Sequence, residues 1–130
     1  MKSIYRAFAA FAGLVVSSTV AMADPRPFTF SNDTYAVGYA DCGPSIDGPC
    51  VKKTVDKPWL ASDPDLDMFG PGTPTFYRDG RGNTIMAVNT WKFSGGEANP
   101  KNHGQQVMHL FEVHIGANGR PLAKFVRMVE

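Results

Sequence analysis

Residues 107–129 read VMHLFEVHIGANGRPLAKFVRMV, two runs rich in β-branched and aromatic residues around a glycine-bounded turn. Residues 107–115 and 122–129 each have the length and composition of a β-strand. Between them, Asn118-Gly119 is the pair that type I′ turns favour, because both residues tolerate a positive φ angle. This stretch therefore predicts an antiparallel β-hairpin near the C-terminus.

The register of the hairpin decides which side chains share a face. A two-residue turn predicts three opposed pairs: Ile115 with Leu122, Phe111 with Val126, and His109 with Met128. A four-residue loop would leave the same residues on the same faces. We expect one face to be apolar, with Phe111, Val113, Ile115, Leu122, Val126 and Met128. We expect the other face to be mixed, with Leu110, Glu112, His114, Phe125 and Arg127.

Another strand and two loops are predicted upstream of this hairpin. Residues 76–78 lead into Asp79-Gly80-Arg81-Gly82-Asn83, which is typical of a glycine-rich hairpin loop. Residues 84–93 follow as a strand whose odd-numbered positions are apolar except for Asn89. This alternation predicts that the odd-numbered face packs on the core. Residues 94–106 are polar and rich in glycine, so we expect a surface loop.

The first half of the chain has weaker patterns. Brief strands are predicted over three stretches, residues 28–30, 35–40 and 51–55. Within the irregular residues 57–75, Asp63-Pro64 is typical of a helix start and Gly70-Pro71 of a helix stop, so we predict one short helix over residues 64–69. The whole pattern predicts an all-β fold, or α+β if that helix is counted, built as a small antiparallel barrel or sandwich.

The two cysteines, Cys42 and Cys50, are predicted to form a disulfide bond. The residues between them, GPSIDGP, are mostly turn formers that can bring the two ends together. Catalytic dithiols usually have two residues between their cysteines at a helix start, so the wider spacing here favours a structural bond. Such a bond is typical of exported proteins, because compartments outside the cytoplasm are oxidising.

Residues 1–23 have the three parts of a cleavable signal peptide. A positively charged start precedes an apolar run over residues 7–16, and Ala21-Met22-Ala23 offers the small side chains that signal peptidase accepts. A membrane anchor would need about 20 apolar residues, and Ser17-Ser18-Thr19 interrupts the run before that length. We therefore expect a periplasmic or secreted protein with a single small domain over residues 24–130.

The charge balance argues against two classes of partner. Two of the 13 Lys and Arg lie in residues 1–23, so eleven remain against 12 Asp and Glu, and the largest basic cluster is Lys52-Lys53. Nucleic-acid binding needs several converging cations, and adhesion to an anionic membrane needs a basic patch. We expect neither partner, and the sequence contains no motif that predicts a cofactor.

Three polar residues of the hairpin are the best candidates for catalysis. Glu112 and His114 are two positions apart on one predicted strand, so their side chains share a face. Arg127 on the neighbouring strand is expected to share it. A carboxylate, an imidazole and a guanidinium on one face can perform general acid–base work on a phosphate or ester. The alternative is a solvent-facing polar stripe with a cross-strand ion pair.

A run of alternating acids is a candidate calcium site. Asp63, Asp65 and Asp67 supply the oxygen ligands that Ca²⁺ prefers. An EF-hand-type loop counted from Asp63 would need glycine and glutamate where this chain has Met68 and Pro74. The competing interpretation is a helix N-terminus, where acids cap free N–H groups and complement the helix dipole.

The histidines are a weaker candidate for a transition-metal site. His109 and His114 are five positions apart, so they point to opposite faces of one strand and share no metal unless a bulge intervenes. His103 lies in the predicted loop and could approach either of them. A zinc or copper site would need three or four ligands to converge.

The aromatic residues Trp59 and Trp91 are candidate binding residues. Exposed aromatic side chains can dock a partner protein or stack on a sugar, whereas in a thin core they serve as packing. Three hypotheses follow. The preferred one is an exported, non-enzymatic binding or accessory module of the cell envelope that recognises a protein or a small ligand. The alternatives are a small secreted hydrolase using Glu112, His114 and Arg127, and a calcium- or transition-metal-binding protein.

Overall fold

The computed structural model describes residues 31–45, 47–102 and 105–130. The predicted signal peptide, the predicted strand over residues 28–30 and His103 lie outside these residues. No helix in the described part of the chain is long and apolar enough to cross a membrane.

Two antiparallel sheets make up the fold of the described residues, which confirms the predicted all-β class. A two-stranded sheet pairs β1 (Ala40–Asp41) with β2 (Val51–Lys52). A four-stranded sheet then runs in chain order through β3 (Phe69–Arg78), β4 (Thr84–Trp91), β5 (Gln106–Ile115) and β6 (Pro121–Val129). Single 3₁₀ turns lie at Pro64–Leu66 and Gly96–Ala98.

The core lies on one face of the four-stranded sheet, which we call the inner face. Several apolar side chains of residues 31–68, called the cover segment below, pack against this face. The buried cluster joins Val37 and Met68 of the cover segment to four sheet residues, Met86, Val88, Phe111 and Val113. Burying such side chains stabilises the fold by roughly 1.5–3 kcal/mol each, so the cover segment is held on the sheet by a small apolar core.

A buried histidine ties the cover segment to the sheet. His109 on β5 is fully buried, and its Nε2 donates a hydrogen bond of 2.8 Å to the Leu66 carbonyl. Its Nδ1 then accepts from the Thr90 hydroxyl at 2.9 Å. Burial lowers the pKa of His109 from its ordinary 6.5, against smaller raising effects of the Leu66 carbonyl and the Asp67 charge. The ring is therefore held neutral at pH 7.

The C-terminal hairpin is confirmed, but its turn and register differ from the prediction. The turn is closed by bonds from Gly116 N–H to the Arg120 carbonyl and from Gly119 N–H to the Gly116 carbonyl. Gly119 alone has a positive φ (75°), which is the geometry of a three-residue loop rather than a type I′ turn. The extra residue shifts the pairing by one, so Ile115 faces Pro121 instead of Leu122.

That shift moves side chains between the two faces, as a one-residue slip must. Phe125 is paired with Phe111 and lies on the inner face, where the two rings are 5.8 Å apart. Leu122 is paired with His114 on the opposite face, called the outer face below. A β-bulge leaves Val126 unpaired and restores the predicted pairing of His109 with Met128. The predictions that Leu122 lies on the apolar face and Phe125 on the mixed face were therefore wrong.

Three other boundaries and one face are corrected. The predicted helix over residues 64–69 is only the 3₁₀ turn Pro64–Leu66, since Phe69 already belongs to β3. The predicted strands over residues 35–40 and 51–55 shrink to β1 and β2. In β4 the core side is the even-numbered one, with Met86 and Val88 fully buried, because that face meets the cover segment.

The predicted disulfide between Cys42 and Cys50 is confirmed. It closes the loop between β1 and β2, which otherwise pair over only two residues each. The predicted loop between β3 and β4 is also confirmed, and Asp79 organises it by accepting hydrogen bonds from the N–H groups of Arg81 and Asn83, each at 2.9 Å. The Asn83 bond is the largest cause of the lowered pKa of Asp79.

Candidate ligand pocket beside Trp91

A pocket of about 290 Å³ lies at the Trp91 end of the four-stranded sheet. It forms where three sheet strands meet one aromatic residue of the cover segment. The lining residues are Tyr35, Gly70, Gly72, Thr73, Asn89, Thr90, Trp91 and Gln106. Because Asn89 and Trp91 alternate with the inner-face residue Val88, their side chains lie on the outer face of the sheet.

Two irregularities in β3 make room for the pocket. The pairs Phe69–Trp91, Gly72–Asn89 and Thr75–Ala87 are each separated by a register shift, so β3 has an extra residue in both intervals. Pro71 and Pro74 lie in these intervals and have no N–H for the ladder. Bulges of this kind bend a strand and redirect its side chains, and they are frequent beside functional sites.

The second bulge holds a residue in a strained conformation. Thr73 has a φ of 45°, which is unusual for a β-branched residue and costs about 1–3 kcal/mol. Its hydroxyl accepts a hydrogen bond of 3.1 Å from the side-chain amide of Asn89. This bond fixes the position of both side chains at the mouth of the pocket.

Tyr35 closes the pocket from the cover segment. Its ring lies directly against Gly72, where an added Cβ would be 1.9 Å from Cε1 and 2.2 Å from Cδ1. Glycine at position 72 therefore allows a contact that any side chain would prevent. Tyr35 and Trp91 provide aromatic surface, while Thr73, Asn89 and Gln106 provide neutral hydrogen-bonding groups. None of the eight lining residues carries a charge.

The two predicted binding residues lie in different places. Trp91 lines the pocket and is buried with 5% of its surface exposed. Trp59 is half-buried and packs against the core between the cover segment and the sheet. Its ring meets the Tyr39 ring edge-on, with centroids 5.9 Å apart. Trp59 does not line the pocket.

The predicted catalytic residues share the outer face but are spread along it. Glu112 lies opposite Lys124, His114 opposite Leu122, and Arg127 opposite Leu110. The cross-strand pair of Glu112 and Lys124 therefore lies between His114 and Arg127. His114 and Arg127 are exposed and Glu112 is half-buried. None of the three lines the pocket beside Trp91.

The acids at positions 63, 65 and 67 organise a turn. Asp63 caps the 3₁₀ turn by accepting from the Asp65 N–H at 3.0 Å, and Asp67 ends it in a left-handed conformation. Asp63 therefore has the capping role predicted for an N-terminus, whereas Asp67 lies at the opposite end of the turn. Within the described residues, no group of three His, Cys, Asp or Glu side chains is placed to hold a metal ion. His109 and His114 lie on opposite faces of β5, as predicted.

Sequence reasoning did not identify the pocket. Its clearest signal is the run FGPGTP at residues 69–74, in which glycines and prolines alternate through what is in fact a strand. Glycine inside a strand marks a bulge or a close approach of backbone to a neighbour. Asn89 was the second signal, because it is the polar exception in an apolar alternation.

Comparisons of this chain with protein-family models, curated proteins and solved structures found no match. Function is therefore inferred from the site itself.

Proposed function

We propose that this protein is a non-enzymatic binding module of the cell envelope that holds a small, uncharged ligand in the pocket beside Trp91. The observation that carries this proposal is a pocket lined only by uncharged residues, aromatic and polar side chains among them, with the strained Thr73 hydrogen-bonded to Asn89. Export is supported by the signal-peptide pattern of residues 1–23 and by the disulfide, which is typical of oxidising compartments.

The size and chemistry of the pocket limit the ligand. A volume of about 290 Å³ lies just below the roughly 300–1,000 Å³ typical of ligand sites, so the pocket suits a single ring-sized molecule. A charged ligand would lose hydration without meeting an opposite charge, which is costly. A neutral ring with several hydroxyl or amide groups can pair with the Asn89 and Gln106 amides and pack on the aromatic rings.

The proposal is tested by titrating ¹⁵N-labelled protein, residues 24–130, with matched neutral and charged compounds. Glucose and galactose serve as neutral probes, and glucuronate and glucose 6-phosphate as their charged counterparts. We expect the neutral sugars to shift the side-chain signals of Trp91, Asn89 and Gln106, and the charged sugars to leave them unchanged. Stronger binding of the charged compounds, or shifts only at distant residues, would overturn the proposal.

The export part of the proposal has its own measurement. Mass spectrometry of the protein recovered from the envelope of its host should give the mass of residues 24–130 less two hydrogens for the Cys42–Cys50 bond. Full-length reduced protein in the cytoplasm would contradict export, and it would leave the binding experiment to be judged separately.

A further inference from the structure

The second unusual surface is the edge of β6 that faces away from β5. It lies at the opposite end of the strand order from β3, the strand that shapes the pocket. In the described part of the chain, β6 pairs only with β5. The hydrogen bond from the Gly116 N–H to the Arg120 carbonyl, 2.8 Å long, makes these two residues a hydrogen-bonded pair. Along an antiparallel ladder, hydrogen-bonded and non-hydrogen-bonded pairs alternate. The next hydrogen-bonded pairs are His114–Leu122 and Glu112–Lys124. The N–H and C=O groups of Ala123 and Phe125 therefore point outward.

This edge also exposes apolar side chains on both faces. Leu122, Phe125 and Val126 have 48%, 37% and 49% of their surface exposed. They are three of the seven large exposed hydrophobic residues in the described part of the chain. Phe125 is anchored from behind by the rings of His109 and Phe111, each with its centroid 5.8 Å away. Within the described residues, the edge thus offers an apolar surface beside backbone groups that point away from β5.

The charge of the edge is of one sign. Arg120, Lys124 and Arg127 are exposed cations, and residues 120–129 contain no acid. Among the described residues, Lys92 and Glu130 form an ion pair, and none of these three cations forms one. Glu112, half-buried opposite Lys124, is the one acid on the neighbouring strand facing them.

These charges decide which strand can pair with the edge. A second copy that pairs antiparallel, with its Ala123 opposite Phe125, would place its Lys124 directly opposite Lys124, and like charges on adjacent strands are destabilising. The bulge at Val126 also limits a regular ladder to residues 121–125. An extended segment with acids at alternate positions would meet Lys124 and Arg127 on one face and cover Phe125 on the other.

We propose that the β6 edge docks an extended acidic segment of another protein by strand addition along residues 121–125. Main-chain bonds to Ala123 and Phe125 provide the pairing, as in other cases of β-augmentation. Lys124 and Arg127 select acidic side chains, and Phe125 accepts an apolar one. This surface contains none of the residues that line the pocket, so the two proposals stand independently.

Fluorescence anisotropy with a labelled peptide of four Glu-Val repeats tests this inference, with four Lys-Val repeats as the opposite-charge probe. We expect only the acidic peptide to bind, and more weakly as salt is raised. The variant K124E/R127E should weaken binding at least about tenfold, because two attractions become repulsions. The variant K53E/K57E makes the same charge change on exposed residues of the cover segment and should alter binding less than about twofold.

The variant A123P tests strand addition as opposed to charge alone. It removes an outward N–H and leaves the pairing with β5 intact, and proline is tolerated at such edge positions. We expect it to weaken peptide binding about as much as the charge reversal does. Thermal unfolding must first show that it folds. Should it not fold, F125S, which removes the apolar contact at the edge, replaces it and should reduce binding in the same way.

Several results would overturn the inference. They are equal binding of both peptides, equal effects of K124E/R127E and K53E/K57E, or unchanged binding by A123P and F125S. Binding of anionic phospholipid vesicles that K124E/R127E abolishes and A123P leaves unchanged, without peptide binding, would assign the edge to a membrane instead. Dimers in analytical ultracentrifugation that A123P or F125S abolishes would assign it to a second copy. Q106A, a change in the pocket, should leave peptide binding unchanged.

Discussion

The cover segment and the four-stranded sheet are held together in different ways. The sheet strands are eight to ten residues long and pair almost continuously. The cover segment has two-residue strands, one disulfide and isolated contacts such as the 2.8 Å bond from the Val37 N–H to the Leu60 carbonyl. The sheet therefore stabilises itself through its ladder, whereas the cover segment depends on single residues. The candidate pocket lies where the two regions meet.

Removing the His109 ring should have the largest effect on that junction. The variant H109A leaves a cavity and removes the hydrogen-bond partner of the Leu66 carbonyl and of the buried Thr90 hydroxyl, so we expect a loss of about 3–4 kcal/mol in the free energy of unfolding. Denaturant titration measures the loss. H114A, an exposed histidine on the same strand, should cost less than about 0.5 kcal/mol. Similar losses in both variants would contradict the assigned role of His109.

The disulfide should matter next, and only for the cover segment. Replacing Cys42 and Cys50 by alanine should cost about 2–3 kcal/mol, the chain-entropy value for so short a loop. In hydrogen exchange we expect residues 40–52 to lose protection while β4 and β5 keep theirs. Reducing the wild-type protein should reproduce this pattern and leave the double variant unaffected. Uniform loss of protection across the sheet would show that the two regions are not distinct.

A pair of glycines in or beside β3 separates contact with the cover segment from general strand effects. G72A places a Cβ inside the Tyr35 ring, so Tyr35 must move and we expect a loss of about 1–3 kcal/mol. In G80A the added Cβ meets nothing within 4 Å, and the change should be close to neutral. Thermal unfolding compares the two variants. Equal stability would mean that Tyr35 does not pack on Gly72.

The pH dependence of stability should reveal the neutral His109. Because its pKa is lower in the folded protein than the ordinary 6.5, the unfolded chain binds the proton more tightly, and stability falls as pH falls below 6.5. Above pH 6.5 the contribution is complete. Denaturant titrations between pH 7.5 and 5.5 should show this fall in the wild type and a flatter profile in H109Q. A rise in stability on acidification would give the sign opposite to the one expected.

The sheet was predictable because its signals are local. The β-branched and aromatic runs on either side of Gly116 and Gly119 identify the hairpin without any knowledge of the rest of the fold. The register was not predictable, because Asn118-Gly119 suits two turn geometries and one residue separates them. This difference of one residue in loop length decides on which face of the sheet Leu122 and Phe125 lie.

The candidate site was only partly predictable. Within the pocket, Trp91 was identified by its residue type. The disulfide, which lies outside the pocket, was identified by the spacing of Cys42 and Cys50. The pocket itself depends on Tyr35 meeting Gly72, a contact between residues 37 positions apart that no local pattern encodes. The prolines at 71 and 74 suggested irregular structure, whereas tertiary packing holds them in a bulged strand.

The most direct test of the proposed function compares Gln106 with its neighbour Gln105. Gln106 lines the pocket and Gln105 does not, so Q106A removes a hydrogen-bonding group from the site and Q105A makes the same change beside it. For whichever neutral sugar binds most tightly, we expect NMR titration to show about two- to tenfold weaker binding in Q106A and wild-type affinity in Q105A. Equal affinities of the two variants would contradict ligand binding beside Trp91.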